Sequence, residues 1–142
     1  MTFKEKFKIF RELEEVSKEV NKIKNINRGG CCVYAYNISK ILTKLKISHK
    51  VVIADNYPRM VIQSLEDGDF IGANHVLIYS NGFYIDSEGL STTYTGYGSK
   101  KKINLDLHTF KAWSEKRSSW NPTYSTINNK KIEKLCNQLE SV

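Results

Sequence analysis

The stretch "NHVLIYSNGFYIDSEG", Asn74 to Gly89, decides the fold. Two apolar runs flank Asn81-Gly82, the dipeptide best suited to a two-residue turn in which both central positions take positive φ. The pattern predicts an antiparallel hairpin with Ser80 opposite Phe83, Tyr79 opposite Tyr84, Leu77 opposite Asp86 and His75 opposite Glu88. Alternation along each strand gathers His75, Leu77, Tyr79, Tyr84, Asp86 and Glu88 on one face. Asp86 then stands diagonally from His75, roughly 5–8 Å away between Cβ atoms, within reach of an orienting hydrogen bond. Glu88, directly across, is the competing partner. An odd-length loop would separate His75 and Asp86 onto opposite faces. The competing reading of the whole feature is a half-exposed strand histidine beside surface acids.

Upstream, "SHKVVIAD", Ser48 to Asp55, is rich in β-branched residues and predicts a strand ended by "NYPR". Phe3, Phe7, Phe10, Leu13, Val16, Val20 and Ile23 recur at spacings of three and four, as on one face of a helix. Thr2 and Glu5 fit a capping box at its start. "NINRGG" breaks that pattern, and a second helix is expected from about Cys31 to Lys46. Downstream, "LSTTYTGYGSKKK" reads as a polar loop and "INLDL" as a short strand. "DLHTFKAWSEK" reads as a short helix capped near Asp106 or Thr109, and "SSWNPTYST" as a loop. Ile132, Leu135, Cys136 and Leu139 mark a closing amphipathic helix. Helices, then a mainly antiparallel sheet, then helices make an α+β chain.

The 142 residues are expected to form one domain, 1–142, with a single core. No run of about 18 apolar residues predicts a membrane span, and the N-terminus lacks the apolar centre of a signal peptide. A cytoplasmic location is therefore expected. Three cysteines, an odd number with two adjacent, agree with a reducing compartment, and no metal-binding spacing occurs. The formal charge of +7, densest in "SKKK", Ser99 to Lys102, reads as a solvated surface bias, with an acidic partner as the minority alternative. No nucleic-acid recognition motif accompanies it.

"RGGCCVYAYNISKILTKL", Arg28 to Leu45, carries the chemistry. The first turn of a helix has free N–H groups and the positive end of the dipole, both of which favour a thiolate. On a helical projection Tyr34, Ala35, Ile38, Leu42 and Leu45 share the face of Cys31, whereas Cys32 is rotated by about 100° toward Ser39 and Thr43. This favours Cys31 as nucleophile and leaves Cys32 as the alternative. Free cysteines are also among the most buried residues, so packing roles compete with catalysis for both. His75 is the histidine with an acidic partner in prospect; His49 and His108 have none evident.

Gly30-Cys31 with Ala35 four positions on, Asn74-His75-Val76 opening a strand and Phe83-Tyr84-Ile85-Asp86 ending the next resemble the transglutaminase-like and papain-like cysteine enzymes. "RGGCC" also resembles the Arg-Gly-Gly-x-Cys of arylamine N-acetyltransferases, a register that selects Cys32. The resemblance covers roughly residues 28–90. It implies a nucleophile helix packed on a small antiparallel sheet with flanking N- and C-terminal helices, a minimal domain of a kind found in bacterial and phage proteins. By resemblance, Cys31 is the nucleophile, His75 the general base and then acid, and Asp86 the orienter. The implied reaction is acyl transfer through a thioester: amide or peptide hydrolysis, deamidation or transamidation. Asn25, at the offset of the papain-like oxyanion-hole glutamine, is a candidate oxyanion donor, with a surface turn as its alternative role.

The expected partner is thus a peptide, protein or small amide substrate. No metal or organic cofactor and no membrane is implied. Tyr34, Tyr36, Tyr94, Tyr97, Trp113 and Trp120 are candidates for a substrate groove or for the core, and "TTYTGYGS", Thr92 to Ser99, for a lid or a plain loop. Two non-enzymatic alternatives stand beside the enzyme: an inactive binding module on the same fold, and a basic nucleic-acid-binding domain.

Overall fold

The computed structural model describes residues 1–23, 26, 30–120 and 126–141. Helix α1 (Phe3–Val20) starts where Thr2 Oγ1 accepts the Glu5 backbone N–H at 3.1 Å, which satisfies one of the free donors of the first turn. It buries Ile9, Phe10, Leu13, Val16 and Val20, but Phe3 and Phe7 stay exposed, their rings stacked at 6.5 Å. The apolar periodicity thus runs on beyond the part of the helix that packs.

Helix α2 (Cys31–Lys44) is buried over more than one face, leaving Tyr36, Lys40, Thr43 and Lys44 as its open stripe. Cys32, Val33, Tyr34, Ala35, Asn37, Ile38, Ser39, Ile41 and Leu42 are all buried. Strand β1 (Lys50–Asp55) follows, then α3 (Pro58–Asp67), β2 (His75–Ser80), β3 (Phe83–Asp86), β4 (Gly89–Ser91), β5 (Ser99–Ile103), α4 (Leu107–Trp120) and α5 (Thr126–Asn137), with a 3-10 turn at Gln138–Ser141. The described residues therefore form an α+β structure of five α-helices and one open five-stranded sheet, ordered β4-β3-β2-β1-β5 and antiparallel throughout.

Sheet parity separates two faces. Val51, Ile53, Val76, Ile78 and Ile85 point into the main core with the helices, while Val52, Ala54, Leu77 and Tyr84 form a smaller cluster on the outer face. The hairpin has the predicted register, with Ile78 opposite Ile85, Tyr79 opposite Tyr84 and Ser80 opposite Phe83. Its turn places Asn81 at φ 51° and Gly82 at φ 85°, the positive pair that the dipeptide supplies cheaply.

Four elements depart from the sequence reading, one of them the short β4, which begins where a polar loop is expected. Residues 58–67 form α3, which opens with a proline in its first turn and closes on Gly68 at φ 78°. The strand expected at "INLDL" lies earlier, at Ser99–Ile103, where lysines occupy an edge and hide the apolar alternation. Helix α4 is also longer than expected, with Asp106 as its cap: Oδ2 accepts the Thr109 N–H at 2.9 Å.

Candidate active site

Cys31 is the first residue of α2, and Gly30 before it provides no side-chain cap. The N–H groups of the opening turn therefore keep capacity for an external anion. Cys31 is half-buried and Cys32 is 2% exposed. This reverses the burial expected from the helical projection. Because α2 is buried on more than one face, the direction that Cys32 shares with Ser39 leads into more protein rather than toward solvent. The two thiols also differ electrostatically. Burial drives the Cys32 thiol well above its ordinary pKa, with Cys31 adding to the rise and Arg117 opposing it. Burial likewise pushes Cys136 up to about 12. Both are thereby held as inert thiols.

His75 opens β2, and its position is fixed from the neighbouring strand. Asp55 at the end of β1 accepts the Asn74 N–H at 3.0 Å and the Tyr57 N–H at 2.9 Å. His75 Nε2 bonds Asp86 Oδ2 at 2.8 Å in a buried contact, and the other carboxylate oxygen accepts the Glu88 N–H at 2.9 Å. Asp86, not Glu88, thus takes the imidazole. The chain folds back after Asp86, which pairs with Gly89 of β4, so position 88 lies in the turn and its side chain is exposed.

The second ring nitrogen, Nδ1, is buried without a hydrogen-bond partner among the described residues. The Cys31 thiol is near enough to act on the ring and raise its basicity, although no hydrogen bond to Nδ1 is formed. Such looseness is common before a substrate tightens the site. Burial, the largest influence, lowers the basicity of His75. The Asp86 hydrogen bond, the Cys31 interaction and both partners' negative charge outweigh it and raise the pKa to about 9.

The loop after β4 closes over the imidazole. The Tyr94 ring stacks against His75 at 5.8 Å between centroids with an interplanar angle of 21°, and Tyr97 approaches at 5.5 Å and 31°. Lys100 Nζ donates to the Tyr94 carbonyl and ties this loop to β5. Beneath it is a cavity of about 380 Å³ lined by His75, Asp86, Glu88, Tyr94, Tyr97 and both polar and apolar neighbours. Burial raises the Tyr94 hydroxyl above its usual pKa, and the negative charge of Asp86 adds to the rise.

The remaining candidates fall elsewhere. Asn25 lies outside the described residues. His49 is held by Ser39 at 2.7 Å and the Ile47 carbonyl at 3.0 Å, with no acid bonded to it, and His108 is exposed. Tyr34 and Trp113 are core residues, and Tyr36 packs edge-on against Phe110, also in the core; the Trp120 side chain lies outside the described set. Among the described residues no group of three or more His, Cys, Asp or Glu could hold a metal ion, and no helix is long and apolar enough to cross a membrane. The contacts of Tyr94 and Tyr97 with His75 were not legible beforehand; the one hint was that their loop directly follows the Asp86 strand. Comparisons with family models, curated proteins and solved structures find no match to this chain.

Proposed function

We propose that this chain is a cysteine-dependent acyl-transfer enzyme of the transglutaminase-like or papain-like kind, with Cys31 as nucleophile, His75 as base and acid, and Asp86 as orienter. One observation carries the reading. The imidazole is bonded to a carboxylate through Nε2 at 2.8 Å, while its buried Nδ1 is left for the helix-terminal thiol. A core histidine with a purely structural role would have both nitrogens satisfied, as His49 does.

The chemistry follows from the two ring nitrogens. His75 holds the proton of the thiol at Nδ1 as an imidazolium, the form that its raised pKa favours at neutral pH, and the Asp86 carboxylate supports that cation. The sulfur attacks an amide carbonyl, whose oxygen becomes an anion stabilised by the Cys31 backbone N–H and the helix dipole. His75 returns the proton to the departing amine, leaving a thioester on Cys31. Water then yields a carboxylic acid, or a second amine yields a new amide. The substrate class is a peptide, protein or small amide.

The test is labelling with an electrophilic amide analogue, such as a peptidyl chloromethyl ketone, read by intact mass and peptide mapping. A single adduct on Cys31 that disappears in His75→Ala is the expected result. Equal labelling of Cys31 in wild type and His75→Ala would remove the triad and favour a binding module without catalysis.

A further inference from the structure

We propose that Tyr94 and Tyr97 are positioning residues that clamp the His75 imidazole and stabilise its cationic form through their ring faces. This goes beyond the triad assignment, resting on it only in that His75 is the group whose charge matters. Both rings lie within the distance at which an aromatic face attracts a cation, and both are within about a third of a right angle of parallel to the imidazole. The contact is shielded from water, since His75 is 4% exposed, and a shielded cation–aromatic contact is stronger than a solvated one.

The backbone is built to present these rings. Tyr97 adopts φ 58° and Gly98 φ 76°, a left-handed pair that turns the chain back toward β5. A Cβ on Gly98 would meet Asn56 Oδ1 at 2.4 Å, so the loop is seated closely on the end of β1. The Tyr94 hydroxyl is buried with no hydrogen-bond partner among the described residues. A buried hydroxyl without a partner is a cost, so the stacked ring face is the part of Tyr94 that contributes.

The groups that act on or pack against the imidazole are Asp86 from β3, Cys31 from α2, and Tyr94 and Tyr97 from the loop. Glu88 lines the same cavity, and Lys100 Nζ lies 6.0 Å from the centre of the Tyr94 ring. Removing an aromatic face leaves the carboxylate and thiol in place, and any water it admits would raise the basicity of His75, so a fall reports the lost ring face.

Nitrogen-detected NMR titration of the His75 ring tests this, with its signals assigned by their loss in His75→Gln. Wild-type His75 is expected to titrate at about 9. Tyr94→Phe and Tyr97→Phe keep that midpoint, whereas Tyr94→Leu and Tyr97→Leu move it down by about one pH unit. Leucine variants that titrate as wild type would overturn the clamp, as would phenylalanine variants that fall equally far. Tyr97 is 53% exposed, so its variants keep the test open even if Tyr94→Leu fails to fold. Labelling Cys31 in the same samples separates the two proposals. An inert Cys31 with a lowered midpoint in the leucine variants removes the enzyme and leaves the clamp; a reactive Cys31 with an unmoved midpoint does the reverse.

Discussion

His75 Nε2 and Asp86 Oδ2 lie 2.8 Å apart in a buried contact that joins two adjacent strands of one hairpin. The pair is both a structural tie and the electrostatic support of an imidazolium. Asp86→Asn is expected to lower the His75 pKa and to cost about 2–3 kcal/mol of stability, because one partner of a buried charged pair is left behind. Chemical denaturation checks the second effect and the ring titration the first. Asp86→Asn with wild-type values for both would show the contact to be idle.

The same pair sets a pH dependence whose sign is fixed. The pKa of His75 rises from 6.5 in the unfolded chain to about 9 in the folded one. The folded state therefore holds more protons between these values, and stability declines as pH rises through that window. The contribution is full below about pH 6.5 and amounts to about 3 kcal/mol, lost once pH exceeds the folded value. His75→Gln should flatten this part of the pH–stability curve, as measured by urea denaturation.

The three thiols should react in a strict order. In the folded protein iodoacetamide is expected to modify Cys31 roughly a hundred-fold or more faster than Cys32 or Cys136, whose burial keeps them protonated and inaccessible. All three should react at similar rates in denaturant. Faster labelling of Cys32 in the native state would transfer the nucleophile role to it.

The Asn81-Gly82 turn separates backbone strain from register. Gly82→Ala has open space for its Cβ but must hold φ 85°, so a loss of about 1 kcal/mol is expected with the His75–Asp86 contact intact. Inserting one residue between Asn81 and Gly82 turns one strand over relative to the other. That insertion should abolish Cys31 labelling by the amide analogue, whereas Gly82→Ala should retain it.

The parts legible in the sequence were those governed by local rules. Asn81-Gly82 dictates its turn almost alone, and period-two alternation then brings Asp86 to His75. Thr2 and Glu5 likewise announce the start of α1. What escaped depended on surroundings. The burial of Cys32 follows from α2 being packed on more than one face, which a one-face helical projection does not represent. Strand β5 escaped because its lysines serve as edge charges and mask the pattern. Pro58 and Gly68 did mark both ends of α3, local signals that the sequence reading passed over. Tyr94 and Tyr97 reach His75 through a loop whose path no periodicity encodes.

The enclosure of α2 has a consequence for when the site exists at all. A helix with most of its residues buried opens less readily than the loops around it, so the amides of its buried part should be among the slowest in the molecule to exchange with solvent. The Cys31 sulfur is mounted on this slowly exchanging helix, and the imidazole is covered by a loop that is anchored to an edge strand. Local opening of the site therefore falls to the tyrosine side, while the thiol side is a fixed anvil.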